Sequence, residues 1–181
     1  MTPSFPAGPG AGAAGAAGPE VRLRPATAAD APLLAEMLLA AFAWTDDRDD
    51  MTIAGLRSQP EVWHYVDAWP RAGDLGVVAV SAEGEPLGAS WCRLFAEDDR
   101  GYGFVSTDVP ELSMGVAAAH RGRGLGGRLL DAVVEEARGR SLPGVSLSVE
   151  DGNDRARALY ERRGFVVVGR EGDSDVILLA L

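Results

Sequence analysis

The sequence predicts an α/β sandwich: a mixed, mostly antiparallel central sheet flanked by helices. Three observations predict it. Short apolar or alternating runs bounded by Gly, Pro and Asp recur along the chain. Two longer segments carry apolar residues at helical spacing. The two kinds fall in the order βα(α)ββββαβαββ, which suits one layered sheet with helices on its faces.

The elements are justified in turn. Val21-Arg22-Leu23-Arg24 alternates as a first strand. Thr27 to Asp30 fits a capping box, and Leu33, Leu34, Met37, Leu38, Ala41 and Phe42 then recur at helical spacing, giving the first helix. Residues 44 to 74 are less regular and are expected to hold at least one further helix. They carry an acidic patch (Asp46, Asp47, Asp49, Asp50) and an aromatic group (Trp63, His64, Tyr65, Trp69). Gly76 to Ala82, a turn at Glu83-Gly84-Glu85-Pro86, and Leu87 to Leu94 read as a hairpin. Gly103 to Thr107 and Glu111 to Ala117 are expected to be two more strands. Leu125, Leu129, Leu130, Val133, Val134 and Ala137 form one helical stripe ending near Gly139. Gly144 to Val149 is a strand, Asn153 to Arg163 a short helix closed by Gly164, and Phe165 to Val168 and Val176 to Leu179 complete the sheet.

Composition bounds the function. The 181 residues, 46% hydrophobic and 24% charged, suit one globular domain, taken as residues 20–181. Residues 1–19 are nearly all Ala, Gly and Pro, with too little apolar side chain to offset ordering entropy, and are expected to form a disordered tail. No apolar run approaches the roughly 20 residues that span a bilayer, and no basic-then-apolar leader opens the chain. Cys92 is the only cysteine, so an intrachain disulfide is excluded and a cytoplasmic location is expected. The formal charge is −10 and every one of the 17 basic residues is Arg. Without Lys there is no P-loop and no Schiff-base chemistry. So acidic a chain is also a poor nucleic-acid binder. Two histidines and one cysteine, so spaced, offer no metal site.

The chemistry concentrates in Glu111 to Arg128, ELSMGVAAAHRGRGLGGR, where a strand runs through alternating Gly and Arg directly into an amphipathic helix. Gly122, Gly124, Gly126 and Gly127 let an anion approach the backbone. The helix start at Leu125 adds free N–H groups and the positive end of its dipole, while Arg121, Arg123 and Arg128 supply charge. A pyrophosphate is the expected ligand. Gly122, Gly124 and Gly127 also spell G-x-G-x-x-G with Glu150 ending the next strand, the pattern of a dinucleotide-binding oxidoreductase. The loop lies late in the chain for that fold, with too little sequence after it for a doubly wound sheet.

Read as Arg121-x-x-Gly124-x-Gly126, the segment resembles the acetyl-CoA motif of the GNAT superfamily of N-acetyltransferases. Asn153 to Phe165, NDRARALYERRGF, is similar to that family's second signature, N-x-x-A-x-x-L-Y-E-x-x-G-F. The likeness covers residues 76 to 170 well and the rest in outline. It implies a GNAT-like fold whose splayed strand pair holds acetyl-CoA as co-substrate, with no metal. Met114, Gly115 and Val116 would pair with pantetheine, and the N–H groups of Arg121, Gly122, Arg123, Gly124, Leu125, Gly126 and Gly127 would hold the pyrophosphate. Asn153 would fix the pantetheine arm while capping its helix.

The implied reaction is direct attack by a neutral amine on the thioester in a ternary complex. Tyr160 corresponds to the tyrosine that protonates the departing thiolate, and the Val116 N–H would polarise the carbonyl. Glu111, at the start of the strand leading to the site, is the candidate base; an exposed strand-start glutamate is the competing account. His120 is expected to be positional or exposed, His64 and Cys92 to be packing residues. Trp63, Tyr65 and Trp69 either line the acceptor pocket or pack. The acceptor is an amine, on a small molecule or on a peptide or protein, and relatives' habits make a homodimer a compatible state. A non-catalytic acetyl-CoA-binding module is the alternative that keeps the loop but not the chemistry.

Overall fold

The computed structural model describes residues 21–181. The tail expected over residues 1–19 lies outside the described residues. Seven strands form one sheet in the order β1-β2-β3-β4-β5-β7-β6. In chain order they are β1 (Arg22–Pro25), β2 (Leu75–Val80), β3 (Pro86–Arg93), β4 (Glu111–Val116), β5 (Gly144–Glu150), β6 (Val166–Glu171) and β7 (Ser174–Ala180). Every junction is antiparallel except β4–β5, which is parallel. The helices are α1 (Ala31–Phe42), α2 (Ile53–Arg57), α3 (Pro60–Trp63), α4 (Leu125–Gly139) and α5 (Asp154–Glu161).

Local chemistry explains where helices start. The capping box ahead of α1 is formed: Asp30 Oδ2 accepts from the Thr27 N–H at 2.7 Å and from Arg24 at 2.8 Å. The Arg24 guanidinium holds the Asp30 carboxyl down at about 2. In α4 the stripe Leu125, Leu129, Leu130, Val133, Val134 and Ala137 is buried throughout, each large side chain contributing about 1.5–3 kcal/mol of burial.

The sheet separates two cores. On one face α4 and α5 pack over Leu112, Met114, Val145, Leu147 and Val149. On the other, α1 and the α2–α3 region enclose Leu34, Leu38, Leu56, Tyr65, Trp69 and Trp91. Strand alternation therefore sends Glu111, Ser113 and Gly115 to the α1 face, and Leu112, Met114 and Val116 to the α4 face. The fit on the α1 side is close: a Cβ on Gly115 would lie 2.2 Å from the Met37 carbonyl oxygen.

One expected strand is absent. Gly103 to Thr107 forms turns, with Phe104 N–H bonded to Gly101 O and Val109 N–H to Ser106 O. The glycines explain this. Gly103 lies against the β5 backbone so tightly that a Cβ would sit 2.4 Å from the Leu147 carbonyl carbon. The segment is a cover over β5 and Glu111, and the sheet has seven strands where eight were expected.

Candidate active site

The sheet opens in its middle. β3 pairs with β4 from Gly88↔Val116 to Arg93↔Glu111, and β7 pairs with β5 along its whole length. Across β4–β5 only Glu111↔Ser146 is in register, with the Ser146 N–H bonded to Pro110 O at 3.1 Å. Beyond that point the two strands follow their outer partners and part. The inner edges of Leu112–Val116 and Leu147–Glu150 face each other across a cleft of ≈ 990 Å³. Met114, Gly115 and Val116 all line it.

The glycine-rich loop forms one end of this cleft. Gly122 and Gly124 have φ of +81° and +79°, the left-handed region that favours glycine. Among the described residues, no loop or capping backbone bond uses the N–H groups of Gly122 through Gly127; the α4 ladder begins with Arg128 N–H to Gly124 O at 3.3 Å. These amides sit at the positive end of a 15-residue helix, an anion-binding arrangement.

Two expectations for this loop are corrected. The Arg121 N–H is spent on Ala118 O at 3.3 Å. Its guanidinium turns inward, Nε to Val116 O at 3.1 Å and the terminal nitrogen to Ala40 O at 3.0 Å, so Arg121 ties the loop to β4 and α1. Arg128 reaches Val21 O at 2.9 Å, away from the cleft. Gly127 lines the cleft, and a Cβ there would also lie 2.5 Å from the Arg163 guanidinium. Arg155, unremarked in the sequence beyond its motif, lines the cleft beside Gly122.

Glu111 and Tyr160 lie on opposite faces of the opening. Glu111 is not the exposed strand-start residue of the competing account but only 3% exposed. Its Oε1 accepts from the Tyr65 hydroxyl at 2.5 Å and the Gly103 N–H at 2.7 Å; Oε2 is buried with no partner. Burial pushes the carboxyl up to about 7 against the pull of those two bonds. Tyr65 is fixed in turn: its hydroxyl accepts from the Tyr102 N–H at 2.7 Å, and Trp91 Nε1 donates to its carbonyl at 3.0 Å. Tyr160 belongs to the α4-side core and lines the cleft. Burial raises its phenol to about 12. It therefore keeps its proton at neutral pH, and complete transfer to a thiolate, whose conjugate acid lies near 8.5, would run uphill. A hydrogen bond to developing charge on sulfur suits it better than the proton transfer expected from the sequence.

The remaining residues divide between site and scaffold. Asn153 caps α5, its side chain accepting from the Ala156 N–H at 3.2 Å, and lines the cleft. His120 lines it too. His64 is buried in the α1-side core with Nδ1 2.7 Å from Asp99. Cys92 is fully buried, which pushes its thiol up and leaves it unreactive. Of the aromatic group, Tyr65 reaches the cleft, whereas Trp69 packs with Nε1 bonded to Thr27 O at 3.0 Å. Glu150 is held by Arg48 and Trp44 Nε1, so the ribose-binding role of the oxidoreductase alternative has no free carboxylate to fill it.

A half-parted sheet over a glycine-rich helix N-terminus defines the class of fold that the two sequence signatures implied. The Acetyltransferase (GNAT) family model matches residues 39–165, and the chain belongs to that family. It is 32% identical to the mycothiol acetyltransferase of Beutenbergia cavernae over 128 residues, 71% of this chain and 38% of that protein. It is 36% identical to the L-methionine sulfoximine/L-methionine sulfone acetyltransferase of Pseudomonas paraeruginosa over 110 residues, 59% of each. The chain thus spans less than two thirds of these curated relatives' lengths. The GNAT superfamily phosphinothricin acetyltransferase of Sinorhizobium meliloti, solved in complex with AcCoA, shares the fold. The TM-score is 0.63 at 19% identity, covering 89% of this chain and 88% of that one.

Proposed function

We propose that this chain is an N-acetyltransferase that moves an acetyl group from acetyl-CoA to a primary amine. The observation that carries the proposal is the β4–β5 cleft, with free amides at one end and an unpartnered Glu111 oxygen on one face. The unpaired strand edge suits the amide-bearing pantetheine arm, and the amides of Gly122 through Gly127 suit the pyrophosphate. Met114, Gly115, Val116 and Asn153 line the run between them. Acetyl-CoA supplies the activated acetyl thioester.

The chain's own groups handle the protons. An alkyl ammonium, with an ordinary pKa near 10, must lose a proton before its nitrogen can attack. Glu111, poised at about 7, is a base matched to neutral pH. With Oε1 saturated, Oε2 is the atom that takes the proton. As the nitrogen–carbon bond forms and the carbon–sulfur bond breaks, the proton left on the now cationic nitrogen passes to the departing thiolate, and Tyr160 stands on the opposite face to hydrogen-bond that sulfur. Amine and CoA therefore enter from different faces of the sheet.

The test is thiol release from acetyl-CoA against a panel of primary amines. Wild-type protein should release thiol with some amines, and Glu111→Gln should lower kcat/KM for them by about 10²- to 10⁴-fold, the usual weight of a positioned base. Full activity in Glu111→Gln removes the residue from the mechanism. Absence of amine-dependent release across the panel defeats the enzyme reading.

A further inference from the structure

The α1 face of the cleft, where Glu111 is reached, has a charge balance that bears on the acceptor. Its lining includes Phe42, Trp44, Arg48, Tyr65, Tyr102 and Glu150. Arg48 is the cation beside Glu150; Arg121 reaches α1 at Ala40 O from the phosphate loop, and the remaining lining arginines belong to α5 and its C-cap. A guanidinium in such a place is the natural partner of a substrate carboxylate. In this chain it is already engaged. One terminal nitrogen donates to Glu150 Oε2 at 2.8 Å and to Phe42 O at 3.2 Å, and the other donates to Glu150 Oε1. Trp44 Nε1 closes the group with a 3.0 Å bond to Glu150 Oε2. The pair is mostly sheltered, at 32% and 25% side-chain exposure, which separates it from the weak exposed kind.

An incoming carboxylate would have to share the guanidinium with Glu150, whose bidentate hold takes both terminal nitrogens. The Glu111 carboxyl, buried on the same face, adds to the acidic character it would approach. An ammonium meets the reverse: aromatic rings and carboxylates that favour a cation.

We infer that the acceptor is a primary amine with no carboxylate on the amine-bearing carbon, and that the Arg48–Glu150 pair turns amino acids away. This inference rests on the acetyltransferase reading and narrows its acceptor. It departs from the relative named for L-methionine sulfoximine and L-methionine sulfone.

Matched acceptors test it by acetyl-CoA thiol release on the intact chain. L-methionine sulfone is compared with 3-(methylsulfonyl)propylamine, and L-phenylalanine with 2-phenylethylamine. For wild type, kcat/KM for the amine of each pair should exceed that for the amino acid by about tenfold or more, the scale of one lost or unpaired charged hydrogen bond. Glu150→Gln keeps an acceptor for Trp44 but frees the guanidinium, and should shift the ratio toward the amino acids by about tenfold. Amino acids favoured or equal in wild type overturn the inference and leave acetyl transfer standing, with no variant needed. A ratio unmoved in folded Glu150→Gln overturns the role of the pair. Release with neither member of any pair, nor with any other amine, defeats the underlying reading and this one with it.

Discussion

Removing one oxygen from Tyr65 should move the pH at which this protein works. Tyr65→Phe deletes the donor 2.5 Å from Glu111 Oε1 and the acceptor of the Tyr102 N–H. The ring's contacts with Phe95 at 5.1 Å and Tyr102 at 6.3 Å remain. A hydrogen bond to a charged group is worth about 1.5–3 kcal/mol, or about one to two pH units. The bond favours the carboxylate, so its loss raises the Glu111 carboxyl further above its present value of about 7. Less of the base is then ionised at neutral pH. The acid limb of kcat/KM for the amine should shift alkaline by at least about one unit, costing about tenfold near pH 7 and little near pH 9. The assay is thiol release across pH, with KM for acetyl-CoA as the control expected to stay put. A uniform loss at every pH would mean a merely structural role, and an unmoved limb would refute the link from Tyr65 to Glu111.

Two substitutions probe the other parts of the cleft. Gly124 needs a left-handed backbone, which Asn and Asp tolerate best among other residues; Gly124→Asp should therefore bind CoA about a hundredfold more weakly than Gly124→Asn. A like charge at about 5 Å costs about 3 kcal/mol at a near-surface dielectric of about 20, and equal affinities by calorimetry would place the phosphates elsewhere. Tyr160→Phe should lower kcat by about tenfold to a hundredfold with little change in CoA affinity, as loss of one charge-assisted bond requires; an unchanged kcat would reduce Tyr160 to packing.

What was legible in the sequence is what short-range pattern encodes. The buried stripe of α4, the capping box at Thr27 and Asp30, and the positive-φ glycines 122 and 124 each depend on neighbours within a turn or two. The side chain of Arg121 misled for the opposite reason: its partner is Ala40, far along the chain. Glu111 shows the same limit of local pattern. Its donors come from Tyr65, 46 residues earlier, and from Gly103, in a segment that reads as strand but folds as a cover. The Arg48–Glu150 pair spans 102 residues, and nothing in either local sequence marks the other end.

The placement of Glu111 follows from strand parity. Glu111 occupies the one position of β4 in register with β5, so the cleft begins where its carboxylate is anchored. Because side chains alternate, the residue one step on, Leu112, faces the α4 core, along with Tyr160 from α5. A one-residue slip of β4 against β3 would send Glu111 to the wrong face and strip it of Tyr65 and Gly103 together. Gly115 guards against that slip. The Met37 backbone lies against it too closely for any side chain, and a slip would put Met114 or Val116 there instead. The close contact between α1 and β4 thus holds the register that keeps the Glu111 carboxyl on the α1 face, opposite the Tyr160 hydroxyl on the α4 side.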